Sequence, residues 1–201
     1  QRRLIDAAGR PVTIQTPTDG VVALTDLLFA TDGRTIALAE RSGRVASIDA
    51  ATGATRWTSR TSLDRVYQID TDAGLVVLGG AIERPTGADQ PAELTDAMIA
   101  CDALEPGERS VATDVPGAMA WLRVDPLGVA LAGFEDGITR SEPSRGKRMW
   151  TRYREATDRV VDAWSIGGRL LLLDSTRTLW MADPESGRID EEPLRSDDRL
   201  A

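Results

Sequence analysis

An all-β repeat fold is what this sequence predicts, and three observations carry the prediction. Four segments share one plan, a glycine leading a short apolar run, at residues 33–39, 74–80, 128–134 and 168–174. The leading residues Gly33, Gly74, Gly128 and Gly168 stand 41, 54 and 40 residues apart. Removing an insertion of about 13 residues, the polar stretch 83–96, restores a common period of 40 or so. The runs inside each unit are short and punctuated by Gly, Asp and Ser, as strands joined by tight turns are. No long segment follows the helical period. Four strands in a unit of about 40 residues make a β-propeller blade.

In the first unit the strands are read at 25–30, 35–39, 44–49 and 54–58, with turns at Asp32-Gly33, Ser42-Gly43 and Thr52-Gly53. The innermost strands of the other units fall at 66–70, 118–124 and 159–166. The blades are accordingly placed at 20–60, 61–115, 116–156 and 157–195, after an N-terminal hairpin at 1–19. One or two helical turns are expected between Ala92 and Ala100, at the end of the insertion. The insertion interrupts a hairpin and is expected to project from one face of the disc. Pro85 and Pro91 restrict its backbone, which lowers the ordering cost of binding. Arg84 and Leu94 are its candidate contact residues. Four blades and a hairpin are fewer than propellers commonly have, and open blades expose strand edges. The expectation is that further blades of the same or another chain complete the ring, with a small ring closed by the N-terminal hairpin as the alternative.

Composition narrows the function classes. The chain has 201 residues and a net charge of −8, from 24 basic and 32 acidic side chains. A chain of this size buries roughly 70% of its unfolded surface and needs no staple to hold a core. An acidic chain with no basic run argues against nucleic acid as a partner. No apolar stretch is long enough for a membrane-spanning helix, so no direct membrane insertion is expected. Histidine and asparagine are absent altogether, which removes Ser-His-Asp and Cys-His catalysis and imidazole metal sites. Cys101 is the single cysteine and is read as a small core residue in the run 98–101. The sequence opens at Gln1 with no signal segment, and is read as a mature form or a piece of a longer chain.

The last two strands of each unit carry the most specific signal. Asp49, Thr52, Gly53 and Trp57 stand in the spacing D-x-x-T-G-x-x-x-W. Glu142, Gly146 and Trp150 repeat it with Glu for Asp, and Asp183, Ser186 and Gly187 keep its first half. Asp102 and Gly107 keep the first half one residue longer, and Asp6 and Gly9 one residue shorter. Asp opens the hairpin through its side chain, Gly supplies positive φ, and Trp packs sideways onto the neighbouring blade. In this motif the chain resembles the quinoprotein-like propellers, the pyrroloquinoline-quinone repeat family, over nearly its whole length. The resemblance implies a propeller fold and two kinds of activity. Some members are dehydrogenases using the quinone and calcium, with Asn and carboxylate ligands, a catalytic Asp and in many cases a cysteine pair. Other members are non-enzymatic, among them an exported scaffold for outer-membrane protein assembly and sensor domains of receptors. With no Asn and one Cys, no catalytic residue of the family carries over by position, and no cofactor is expected.

The candidate residues divide accordingly. Trp57 and Trp150 are read as packing between blades, and Trp180 as half buried. Tyr67, Trp121 and Trp164 fall on innermost strands, where packing is the first reading and ligand stacking toward the central channel the second. The carboxylate pairs Asp70/Asp72, Glu135/Asp136, Glu191/Glu192 and Asp197/Asp198 are read as turns or solvated surface. The sequence thus points to a non-catalytic propeller module that binds another protein, as scaffold or sensor domain. The alternative is a small-molecule or cofactor-binding relative of the quinoprotein dehydrogenases. The family resemblance favours an exported or periplasmic location.

Overall fold

The computed structural model describes residues 27–84, 93–107, 113–153, 159–190 and 193–194. The N-terminal hairpin expected at 1–19, the prolines of the insertion and the pairs Glu191/Glu192 and Asp197/Asp198 lie outside the described residues. The first blade is β1 (Leu27–Thr31), β2 (Thr35–Glu40), β3 (Arg44–Asp49) and β4 (Thr55–Arg60). The second is β5 (Arg65–Asp72), β6 (Leu75–Arg84), β7 (Glu93–Asp102) and β8 (Thr113–Asp114). The third is β9 (Met119–Val124), β10 (Ala130–Phe134), β11 (Gly137–Glu142) and β12 (Lys147–Tyr153). The fourth is β13 (Val160–Ile166), β14 (Arg169–Asp174) and β15 (Leu179–Ala182), extended by a bridge from Ala182 to Ile189. Within every sheet the strands pair antiparallel in chain order, as the propeller reading requires.

In the first three blades the apolar runs are continuous because the second strand of each is buried on both faces. Val76 and Leu78 of β6 pack with Ala37, Ala39 and Val45 of the first blade. Leu75 and Val77, pointing the other way, pack with Leu122, Val124, Ala130 and Ala132 of the third. Leu131 and Ile138 then join Trp121 and Trp150 against Ala163, Leu170 and Leu172 of the fourth. The side-chain period of two therefore sends alternate residues into two different interfaces. Cys101 is buried among the first of these clusters, in the place expected of it.

The four leading glycines recur because each ends the turn into the second strand of its blade with positive φ: 85° at Gly33, 74° at Gly74, 76° at Gly128 and 77° at Gly168. L-residues other than Asn and Asp seldom hold that conformation, so the repeat shows in sequence as a glycine period. The hairpin motif also acts as read. Asp49 Oδ1 accepts the Ala51 N–H at 3.0 Å, the Thr52 N–H at 2.9 Å and the Thr52 hydroxyl at 3.0 Å. Asp183 Oδ1 does the same for the N–H groups of Glu185 and Ser186 and the Ser186 hydroxyl. Glu142 is one methylene too long for this turn. A short 3-10 turn, Pro143–Arg145, replaces it, with no side-chain cap from Glu142.

The tryptophans dock neighbouring blades. The Trp150 indole N–H and the Arg140 guanidinium both donate to the Pro184 carbonyl, at 2.8 and 2.7 Å. At the corresponding place between the first two blades, the Ser47 hydroxyl donates to the Ala103 carbonyl, and the buried Trp57 N–H has no partner among the described residues.

One expectation fails. The helical turns expected between Ala92 and Ala100 are strand: β7 pairs with β6 without a break from Leu75↔Asp102 to Arg84↔Glu93. The insertion is thus in part a lengthening of this hairpin, with Glu83↔Leu94 in register, rather than a loop throughout. A helix here would strip the long edge of β6 of its hydrogen-bond partners, and Ile82 would leave the first core cluster.

Two outcomes test this architecture. An added Cβ at Gly133 would sit 2.1 Å from the Trp121 ring, so Gly133→Ala is expected to lower unfolding free energy by about 1–3 kcal/mol in urea titrations. Asp174 accepts the Thr176 and Thr178 N–H groups, the Thr176 hydroxyl and the Trp180 indole N–H. Burial works to raise its pKa, but these donors outweigh it and bring the carboxyl from 3.8 to about 2. A depressed acid stabilises the fold above its unfolded pKa and loses that contribution as pH falls through the folded one. Asp174→Asn is therefore expected to cost stability at neutral pH and much less once the pH reaches about 2, read from melting temperatures across that range.

Candidate functional site

The innermost strands β5, β9 and β13 lie side by side, and polar contacts tie their C-terminal ends. Asp70 Oδ2 accepts the Val124 N–H at 2.8 Å, crossing from the second blade to the third. Arg123 pairs with Asp162 at 2.9 Å, and the Ser165 hydroxyl reaches Asp125 at 3.4 Å, crossing from the third to the fourth. These ties bring the turns after β5, β9 and β13 onto one face. The β2–β3 and β6–β7 connections then lie at the other face, because strands alternate in direction.

A half-open cleft of about 240 Å³ lies on the turn-bearing face between β9 and β13. Arg123, Asp125 and Pro126 line one wall, Ala163, Trp164 and Ile166 the other, and Asp72 of the second blade closes an end. Trp164 is 37% exposed, Ile166 45%, and Leu127, next to Pro126 in the turn, 82%. Asp125 is the buried anchor of the wall. Its Oδ1 accepts the Leu127 and Val129 N–H groups at 2.9 Å each, and its Oδ2 lies 3.6 Å from the Arg140 guanidinium. Arg140 in turn grips Pro184, so one buried ion pair links this face to the interface between the third and fourth blades. Such a pair must be kept whole, since losing one partner strands the other charge in the interior. Asp70 stands behind the cleft. Burial pushes its carboxyl above the usual 3.8, and the nearby Asp72 adds to the rise, while the Val124 and Thr71 N–H groups and Arg123 oppose it.

The residues singled out from the sequence separate here. Trp164 lies in the cleft. Trp121 does not: it is 6% exposed, stacked over Gly133, with its N–H donated to the Val160 carbonyl at 2.8 Å. Tyr67 is half-buried at a β-bulge of β5, left unpaired between Val66 and Gln68. Arg84 and Leu94 are on the long hairpin toward the other face. Arg84 is engaged with Asp114 at 2.8 Å, and Leu94 is 47% exposed. Asp70 and Asp72 are not simply turn residues: they end β5 at the cleft, while Glu135 and Asp136 form the exposed turn into β11. Trp180 is half-buried and donates to Asp174, as a third-strand residue was expected to be. The sequence reading missed Asp125, Arg140, Leu127 and Ile166. The turn Asp125-Pro126-Leu127-Gly128 was the available signal, because a leucine at a turn tip is unusual for its polarity.

The cleft suits a side chain or short segment better than a cofactor. Its volume is below the roughly 300–1,000 Å³ of small-molecule pockets. Among the described residues no three His, Cys, Asp or Glu side chains form a group able to hold a metal ion.

No protein-family model matches the chain, and no curated protein does. Solved structures do. The crystal structure of BamB from Moraxella catarrhalis superposes with a TM-score of 0.56 at 18% identity, covering 80% of this chain and 47% of that one. The computationally designed Ika8 protein gives 0.60 at 11% identity, covering 83% and 48%. The computationally designed Ika4 protein gives 0.54 at 12% identity, covering 76% and 87%. The chain thus spans about half the length of BamB and Ika8 and most of that of Ika4. At these identities the likeness shows the fold, an all-β propeller whose described blades are three four-stranded antiparallel sheets and one of three strands.

Asp70 offers a direct test of the electrostatics behind the cleft. Asparagine keeps an acceptor for the Val124 N–H and drops the desolvated charge. Asp70→Asn is therefore expected to be neutral or stabilising at pH 7. The gain should shrink as pH falls through the raised pKa, where the wild-type carboxyl takes up its proton. Urea unfolding at a series of pH values checks the sign.

Proposed function

We propose that this chain is a non-catalytic propeller module that binds another protein through its turn-bearing face, as a scaffold or as a sensor domain. The observation that carries this reading is the exposed apolar group Leu127, Trp164 and Ile166 around a cleft whose polar wall is fixed by the buried Asp125–Arg140 pair. A partly exposed tryptophan beside aliphatic side chains and a rim of carboxylates is the composition of a binding hot spot. The likeness to BamB and the repeat motif support the same class of role. With it goes an exported location, on the family resemblance alone. Among the described residues no helix is long and apolar enough to cross a membrane.

The test is affinity capture with tagged wild type and two surface variants, quantified partner by partner. Trp164→Ala with Leu127→Ser is expected to weaken a bound partner by tenfold or more, since hot-spot truncations cost about 2 kcal/mol or above. Arg84→Ala with Leu94→Ser, on the hairpin toward the other face, should leave that partner in place. The reverse pattern would move the interface to the hairpin and sink this assignment.

A further inference from the structure

The cleft is apolar along its sides and acidic at one end. Pro126, Ala163, Trp164 and Ile166 line the sides, and Asp72 closes the end. The two cations nearby are already engaged. Arg123 gives one guanidinium nitrogen to Asp162 at 2.9 Å and another to the Leu122 carbonyl at 3.1 Å. Arg140 is divided between the Pro184 carbonyl at 2.7 Å and Asp125 at 3.6 Å. Asp72 has no such partner. Its Oδ1 accepts the Ala73 N–H at 2.6 Å, and none of the ion pairs among the described residues includes it. The side-chain period of two puts Asp70 on the same side of β5, where it holds the Val124 N–H rather than a cation. Around the cleft, Asp70, Asp72, Asp125 and Asp162 therefore face only Arg123 and Arg140, and the excess charge is negative. Burial foremost, with Asp72 adding to it, raises the Asp70 carboxyl, as an uncompensated neighbour should.

A counter-charge for Asp72 comes either as a metal ion or at the end of a long side chain. The described residues offer no group of three ligands for a metal, so the second source fits. We propose that the cleft seats a basic side chain presented by the partner, its aliphatic stem along Trp164 and Ile166 and its cationic tip against Asp72. This rests on the functional reading for the choice of docking face. Arginine and lysine are apolar along the stem and cationic at the tip, which matches a slot that is apolar along its sides and anionic at its end. The indole of Trp164 adds the attraction of an aromatic face for a cation. About 240 Å³ gives room for one such side chain. An acidic side chain would meet the excess negative charge, and an apolar one would cover Asp72 without giving it a partner. The net charge of −8 draws a basic partner from a distance.

The probe is a blocked pentapeptide with one central arginine flanked by glycines, set against the same peptide with citrulline, which keeps the shape and drops the charge. Nitrogen–proton correlation spectra of the whole chain follow the Trp164 indole signal, identified by its loss in Trp164→Phe. The arginine peptide is expected to shift that signal saturably at low-millimolar concentration, and the citrulline peptide to bind about tenfold more weakly. Added sodium chloride should weaken the arginine peptide, since the contact is an ion pair at the protein surface. Asp72→Asn keeps the acceptor for the Ala73 N–H, and should weaken the arginine peptide by about threefold or more while leaving the citrulline peptide unchanged. Asp136→Asn makes the same change of charge on the exposed turn into β11 and should leave both peptides unaffected. Should Asp72→Asn fail to fold, the salt series and the citrulline comparison on the wild type decide alone. No shift up to about 20 mM overturns the proposal, as does equal binding of citrulline or indifference to Asp72→Asn. The two proposals fail separately. Arginine binding with every partner retained by Trp164→Ala with Leu127→Ser sinks the functional reading and keeps the subsite. A partner lost from that double variant, with no preference for arginine, does the reverse.

Discussion

The middle blades of this protein have no core of their own. A four-stranded antiparallel sheet is one layer thick, and what holds it is the pair of sheets on either side. The structure makes this dependence explicit in β6, where Val76 and Leu78 serve one interface and Leu75 and Val77 the other. Stability in such an array comes from nearest-neighbour faces as much as from any single unit. It follows that the residues nearest the middle of the chain are the least free to change, and that function gathers at turns and at the terminal blades, where one side of the constraint is missing.

The turns are the second level of organisation, and they use side-chain oxygen to do what the strands cannot. Asp49 satisfies the N–H groups of its own hairpin and pairs with Arg56 at 2.6 Å. The hydrogen bond from Thr52 leads the causes that bring its carboxyl from 3.8 to about 2. Asp183 is held below its usual range in the same way, chiefly by the Ser186 hydroxyl and N–H. Asp125 shows the same device put to further use. One carboxylate oxygen builds the turn after β9, and the other faces Arg140 across the blade. A turn residue has become the fixed wall of a cleft.

This explains what was legible in the sequence. Leading glycines and hairpin aspartates can be read because single residues do local work, positive φ in one case and capture of nearby N–H groups in the other. The four-strand unit followed from their spacing. The ten-residue strands β6 and β7 were less legible, because Glu93, Thr95 and Asp96 are polar and the segment takes its structure from the partner strand rather than from any pattern of its own. Trp121 and Trp164 show the limit most sharply. Both sit on innermost strands, yet one is sealed over Gly133 and the other half-open in the cleft. The difference arises from which blade face each side chain meets, a long-range fact that sequence spacing does not contain. The Asp125–Arg140 pair was hidden for the same reason, its partners being joined only by the stacking of the third blade on the fourth.

The cleft lies against β13, and that placement has a physical origin. In the interior blades the innermost strand is clasped on both sides, as β9 is by Asp70 from the second blade and Asp162 from the fourth. On β13 the clasp comes from the third blade alone among the described residues, through Arg123, Trp121 and Asp125. Ala163 is fully buried against the third blade, while Trp164 and Ile166, on the other side of the strand, stay 37% and 45% exposed at the cleft. The alternation that buries every second residue of an interior strand twice over therefore leaves β13 with large apolar side chains at its free edge. A polar substitution there would cost the fold little, yet the chain keeps tryptophan and isoleucine. That choice is accounted for by a surface that something else covers.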